Sequence, residues 1–374
     1  MAIKPVFLWT DILIYLLVIA SFISIFCALR KESSRATIKQ IVRRPMAMAA
    51  GIVLLCYIFV GLLDSIHFRL NDQPEVLSVL DVLITPLRIH TEKTYSAPLA
   101  KVGYTKETVE DSTGAKSRIY PPLLYEGSHV FGTDKVGNDV LYLSLKAIRT
   151  GLVVGILSTL IMLPFAVLLG ISAGYFKGWV DDLIQYLYTT LSSVPGVLLI
   201  AATVLILQVY MDNHADDFKS TAERADVKLF FLCLILGTTG WIGLCRLLRG
   251  ETLKISELEY VQAARALGVS HAKIITRHIL PNVMHIILIS AVLDFSGLVL
   301  AEAVLSYLGI GVDPSMISWG NMINSARLEM AREPIVWWSI SAAFVMMFGL
   351  VLSANIFSDA VRDALDPRLK GRSS

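Results

Sequence analysis

The chain has 374 residues, 55% hydrophobic and 17% charged, with a formal net charge of +2 and a mean hydropathy of +0.64. So apolar a composition excludes an ordinary soluble domain, and so small a charge offers no electrostatic basis for binding nucleic acid. Four cysteines, Cys27, Cys56, Cys233 and Cys245, lie in apolar runs without C-x-x-C spacing, which argues against a disulfide frame or a zinc site.

Seven stretches carry little or no charge over enough residues to cross, or nearly cross, about 30 Å of hydrocarbon. In chain order they are 12–29, 46–63, 151–176, 183–211, 229–245, 283–308 and 335–358, the sixth interrupted by Asp294 and Glu302. The fold class expected is therefore an all-α polytopic membrane protein, with five core spans from about Gly151 preceded by two N-terminal spans. The first stretch lacks a basic n-region and an A-x-A cleavage site, so it reads as a retained helix rather than a signal peptide.

Three blocks follow: 1–63 with two spans and a basic inner loop, 64–149 as an extracytoplasmic segment ending in an interfacial helix, and 150–374 as the main transmembrane domain. Lysine and arginine set the orientation. Arg30, Lys31, Arg35, Lys39, Arg43 and Arg44 oppose one acid, Glu32, between the first two spans. Arg246, Arg249, Lys254, Arg265, Lys273 and Arg277 mark the loop after the fifth span, and Arg362, Arg368, Lys370 and Arg372 mark the tail. All three are expected in the cytoplasm. The acidic stretch 212–228 and the short N-terminus are expected outside.

Residues 64–127 hold only short apolar runs and are expected to pack on the outer mouth of the membrane domain. In S-H-V-F-G-T-D-K-V-G-N-D-V-L, Gly132 permits a tight turn and Thr133 or Asp134 could cap a helix. That helix would lay Val136, Val140 and Leu143 on the membrane. Within the fourth span, Pro195 removes a backbone hydrogen bond and is expected to kink the helix, with Gly196 allowing close approach of a neighbour.

The polar island 246–281 is long for a loop between two spans, and it carries its own helical plan. Ser256 followed by Glu259 has the capping-box spacing. Tyr260, Ala263, Ala264 and Leu267 then share one face at helical spacing. Gly268 stands where a helix would end in a left-handed residue, Ser270 could cap a second short helix, and Pro281 would limit that helix before the next span. Beyond it, Asp294 and Glu302 lie at membrane depth, where ionisable groups face a cavity or a partner. Trp319 and Gly320 suit an outer interfacial re-entrant or amphipathic piece. No phosphate-cradling G-x-x-x-x-G-K-[ST], H-E-x-x-H or G-x-S-x-G is present, and His271, His278 and His285 are interrupted by Pro281, so neither catalysis nor metal binding is expected.

The polar island resembles the EAA motif of bacterial ABC importer permeases: Gln262-Ala263-Ala264, then Gly268, then His278-Ile279-Leu280-Pro281. Gln262 replaces the usual acid and His278 the usual isoleucine, and Glu259 stands upstream as a substitute carboxylate. The R-H-I-L-P-N form is similar to the dipeptide, oligopeptide and nickel branch. Further resemblances are H-V-F-G-T-D-K-V-G-N-D-V, with Asn138 where arginine is usual, A-E-A-V-L-S-Y-L-G-I-G followed by Trp319-Gly320, and the N-I-F-S-D-A-V-R-D-A-L-D-P ending.

The resemblance implies a type I-like transmembrane domain and the second, C-type permease of a peptide importer in the bacterial inner membrane. It implies a sister permease, cytoplasmic ATPase subunits and an extracytoplasmic substrate-binding protein as partners, with no cofactor on this chain. Glu259, Gln262, Ala263, Ala264 and Gly268 would couple to the ATPase, while Pro195, Asp294 and Glu302 are candidates for the pathway. Two other classes fit an apolar polytopic chain: an ion-gradient-driven secondary transporter, or a membrane scaffold or receptor using the long outer segment.

Overall fold

A backbone in hydrocarbon has to satisfy its polar groups within itself, so apolar runs of this length become helices. The computed structural model describes residues 3–30, 38, 40–70, 76–110, 116–214, 218 and 220–365. The helices are α1 (Trp9–Leu29), α2 (Pro45–Asp64), α3 (Val79–Leu83), α4 (Thr85–Ile89), α5 (Val140–Phe176), α6 (Gly178–Ser192) and α7 (Gly196–Asn213). They continue as α8 (Thr221–Gly240), α9 (Ile242–Ser256), α10 (Glu259–Ala266), α11 (His271–Ile274), α12 (Leu280–Tyr307), α13 (Trp319–Ala326) and α14 (Trp338–Leu365). Among the described residues, six helical stretches are long and apolar enough to cross a membrane. The first expected span corresponds to α1, a 21-residue apolar helix.

Several helices outrun the expected spans. Helix α5 has 37 residues, about 55 Å at 1.5 Å per residue. It starts at Asp139, whose carboxylate accepts from the Leu141 and Tyr142 N–H groups. The expected interfacial helix is therefore not a separate element. Asp134 instead closes a turn, Oδ1 accepting from Val136 N at 2.9 Å and Asn138 N at 2.8 Å, and Val140 and Leu143 open α5 itself.

Helices α8 and α9 run on as one 36-residue stretch, Thr221–Ser256. The span expected to stop at Cys245 thus continues through Arg246, Arg249 and Lys254. Packing against α5 sustains it: a Cβ at Gly170 would lie 2.8 Å from the Cys245 carbonyl oxygen, and one at Gly174 would lie 2.6 Å from Thr252 Cβ. The glycines let the two backbones approach closely.

The two prolines behave differently from expectation. Pro195 does not kink one helix; it separates α6 from α7. Ser192 and Ser193 hydroxyls donate to the Tyr188 and Thr190 carbonyls, so α6 can end with those acceptors satisfied. Pro281 ends nothing. A π-helical turn, Ile275–Ile279, widens the helix ahead of it, Leu280 N–H bonding five residues back to the Ile275 carbonyl. Pro281 then falls in the first turn of α12, where its missing N–H is tolerated.

The 64–127 segment, together with the N-terminal strand, adds two small antiparallel sheets. One has order β1 (Ile3–Val6), β2 (His67–Leu70), β3 (Leu77–Ser78), with Val6 opposite His67; the other pairs β4 (Glu107–Glu110) with β5 (Lys116–Ile119). The segment is fastened to the helices by Trp338, whose indole donates to the Thr133 carbonyl at 2.9 Å and meets the Tyr104 ring edge-on at 4.8 Å. Gly137 (φ +86°) closes the same region; a Cβ there would overlap the Glu92 backbone. Trp319 opens the short helix α13, and its side chain turns into the chain. It is 1% exposed, donates to the Ser144 carbonyl at 3.2 Å, and fills the space left by Gly151 of α5.

Candidate functional site

The polar island is mostly helical, broken by two short turns, at 257–258 and at 267–270. Its first eleven residues complete α9, and Ser256 is the last of them. The expected capping box is absent: Ser256 Oγ donates backwards to the Leu253 carbonyl at 2.8 Å, and Leu258 occupies the N-cap of α10 without a side-chain bond. Ser256 is buried with Thr252 and Ile255, which favours continuing α9 over capping α10. Helix α10 ends as expected. Gly268 is left-handed (φ +75°), with Gly268 N–H bonding to the Arg265 carbonyl and Val269 N–H to the Ala264 carbonyl. Ser270 holds the N-cap of α11, without a side-chain bond.

The inward face of α10 is Val261 and Ala264, packed with Ile255, Ile274 and Ile279. Of the four residues on the expected face, only Ala264 turns inward. Glu259, Gln262, Ala263 and Gly268 are exposed, as are Leu258 and Tyr260, and Leu267 is 83% exposed. The segment therefore presents small, polar and apolar groups outward on a short, well-anchored helix.

Its anchors come mainly from the α5–α6 region, a short glycine-bearing turn in the sequence (Gly174 to Asp182). Lys177, in that turn, pairs with Glu257, and Gln262 Nε2 donates to the Glu257 carbonyl at 3.1 Å. The Lys177 ammonium holds the exposed Glu257 carboxyl below its ordinary value. Arg265 of α10 lies 5.0 Å over the Tyr175 ring, and Tyr175 Oη shares a 2.8 Å hydrogen bond with His271 Nδ1. Asn282 Nδ2, at the base of α12, donates to Tyr260 Oη at 3.1 Å and to the His278 carbonyl at 2.6 Å.

One turn above, Arg249 makes a two-pronged bond to Asp181 of α6, Nε to Oδ1 at 2.5 Å and Nη2 to Oδ2 at 2.7 Å. That bond, with the attraction of the guanidinium, holds the Asp181 carboxyl below its usual value despite partial burial. Arg246 stacks on Tyr188 at 4.7 Å and donates to Ser192 Oγ at 2.9 Å. Acids at the start of α6, Asp181 and Asp182, and basic residues on α9, with Asp181 and Arg249 68 residues apart in the chain, were the only sequence signal for these links.

The pathway candidates are placed apart. Pro195 is exposed at the α6–α7 break, and Asp294 is half-buried on α12. Glu302 is 1% exposed and accepts from Ser306 Oγ at 2.7 Å, sealed inside this chain. A further buried charge cluster lies at the helix ends away from α10. Arg149 of α5 reaches Asp11 Oδ1 at 2.6 Å and Thr10 Oγ1 at 2.9 Å of α1, with Asp226 of α8 at 3.7 Å. Span counting from Gly151 passed over Arg149; the signal was an acid at the start of each neighbouring helix.

Known proteins resemble this chain in sequence. Residues 166–371 match the family described as "Binding-protein-dependent transport system inner membrane component". An oligopeptide transport system permease protein OppC of Haemophilus influenzae is 33% identical over 70% of this chain and 76% of its own length. A glutathione transport system permease protein GsiD of Pectobacterium atrosepticum is 34% identical over 65% of this chain and 74% of its own, and a dipeptide transport system permease protein DppC of Bacillus subtilis is 31% identical over 65% and 69%. With its six membrane-length helical stretches and a family match over more than half its length, this chain belongs to the inner-membrane components of bacterial binding-protein-dependent transport systems.

Proposed function

We propose that the chain is one of two permease subunits of an ATP-driven peptide importer, with α10 as its coupling helix. The observation that carries this reading is the geometry of α10: a short helix held on its inner face and at both ends, with Glu259, Gln262, Ala263 and Gly268 turned outward. Ala264 faces inward and sets the seat of the helix rather than its contact surface. An ATPase subunit would receive the outward residues in a cleft, where Ala263 and Gly268 permit close approach and Glu259 and Gln262 hydrogen-bond at the rim.

ATP hydrolysis belongs on that partner in this reading, since the chain carries no phosphate-cradling loop. The similar proteins are named for oligopeptide, dipeptide and glutathione transport, solutes that share peptide amides and a free carboxylate. The outer segment 64–149 would then face a substrate-binding protein, and a sister permease would complete the pathway lined from this side near Pro195 and Asp294. The basic loops support a cytoplasmic α10 and C-terminus and an extracytoplasmic N-terminus.

Gly268 gives the test. A Cβ there meets nothing within 4 Å in this chain, so a side chain at 268 disturbs the backbone and whatever docks outside. Gly268→Val strains the left-handed residue by about 1–2 kcal/mol, whereas Gly268→Asn tolerates that conformation. The valine variant should lose peptide uptake and release ATPase subunits from solubilised complexes, and the asparagine variant should lose less. Full uptake with full ATPase retention in the valine variant would refute the coupling role.

A further inference from the structure

The cytoplasmic end of α5 meets the proposed coupling segment at one phenol. Tyr175, the penultimate residue of α5, is 3% exposed. Its ring face carries the Arg265 guanidinium of α10 at 5.0 Å. Its hydroxyl bonds His271 Nδ1, the first residue of α11, at 2.8 Å, and the His271 ring stands edge-on to both Tyr175 (5.6 Å) and Phe176 (5.8 Å). Arg265 precedes the Gly268 turn and His271 follows it, so both limbs of the turn close on the same side chain. Nothing in the EAA-like pattern includes Tyr175.

The mechanical setting makes this contact more than a brace. Helix α5 is the longest single helix described, and it packs against α2, α8, α9, α12 and α14. Its close approach to α9 at Gly170 and Gly174 leaves no slack at the inner end. A displacement of α10 reaches α9 through a short turn, but it reaches α5 through Tyr175 and through the Lys177–Glu257 pair. That pair is exposed at both partners and screened by salt; at the other contact the Tyr175 side chain is buried and its hydroxyl bond is directional, although Arg265 and His271 themselves are exposed.

We propose that Tyr175 is the positioning residue that transmits movement of α10 to α5, through Arg265 on its ring and His271 on its hydroxyl. The inference rests on the reading of α10 as the coupling helix, and its test separates the two. Arg265 donates charge to a π face and His271 shares a proton with a hydroxyl, so the two contacts are removed independently. Tyr175→Phe keeps the ring face and deletes the hydroxyl bond. Arg265→Gln keeps the hydroxyl bond and deletes the cation. Tyr175→Leu deletes both.

The full complex, with sister permease, ATPase subunits and binding protein, is reconstituted in proteoliposomes. Uptake of labelled trialanine and ATP hydrolysis are measured together, alongside ATPase retention on the purified complex. Peptides moved per ATP should fall about two- to tenfold in Tyr175→Leu, less in Tyr175→Phe and Arg265→Gln, with ATPase subunits retained in all three. A wild-type complex that holds no ATPase through this chain would end the coupling reading and this inference with it. Retained ATPase with an unchanged peptide-to-ATP ratio in Tyr175→Phe and Arg265→Gln would overturn the role of Tyr175 alone. Loss of ATPase from Tyr175→Phe would overturn it as well, by showing that the phenol shapes the docking surface. Should Tyr175→Leu fail to insert, the two single-contact variants decide.

Discussion

Arg149 sits where its removal leaves two acids without their cation. It is 6% exposed, 2.6 Å from Asp11 and 3.7 Å from Asp226, both almost wholly buried. Breaking a buried pair by deleting one partner costs about 3–5 kcal/mol, because the remaining charge is neither solvated nor neutralised. Here the lower end applies. Asp11 keeps His67 Nδ1 at 2.7 Å, and Asp226 keeps the Thr10 N–H at 3.0 Å. Arg149→Met should therefore destabilise these ends of α1, α5 and α8 by about 3 kcal/mol. A melting midpoint followed by tryptophan fluorescence in lipid nanodiscs should fall by about 4 °C. The triple variant Arg149→Met, Asp11→Asn, Asp226→Asn removes the charges together and should recover most of that loss. Melting of Arg149→Met at the wild-type temperature would refute the reasoning, as would a triple variant no more stable than the single one.

Gly174→Val tests the α5–α9 contact: its Cβ would stand 2.6 Å from Thr252 Cβ and 2.7 Å from the Arg249 carbonyl oxygen. The helices must part, costing about 1–3 kcal/mol, and the same melt should show it; an unchanged midpoint would mean the contact yields freely. Asp81 gives a pH dependence outside the membrane. Burial raises its carboxyl, but the Lys146 ammonium at 2.8 Å, with Ser78 N–H and Tyr142 Oη, brings it below the ordinary value. A folded-state value below the unfolded one means the stabilisation is complete above about pH 4 and is lost as pH falls through the lowered folded value. The melting gap between wild type and Asp81→Asn should thus be wide at neutral pH and shrink below about pH 4; a gap that stays constant into acid would rule out the carboxylate as its source.

Much of this molecule is written locally. Apolar runs of membrane length determined that it is helical and polytopic, because each such segment must satisfy its own backbone wherever it sits. Gly268 was legible for the same reason: a left-handed residue after a short helix strongly favours glycine. The outward Glu259, Gln262 and Ala263 were legible as a set, but not the inward turn of Ala264, since which side of α10 faces in depends on Ile274 and Ile279 beneath it. Ser256 had the spacing of a cap, yet burial beside Thr252 and Ile255 kept it helical. Pro195 was expected to kink a span and Pro281 to limit a short helix; serine hydroxyls at Ser192 and Ser193 let the first end a helix, and a π-helical turn before Leu280 let the second begin one. The pairing of Arg149 with Asp11 and Asp226, and of Tyr175 with Arg265 and His271, joins residues far apart in the chain. Only the packing of α1, α5, α8 and α10 brings those groups within bonding distance, and periodicity along one helix carries no information about which distant side chain lies opposite.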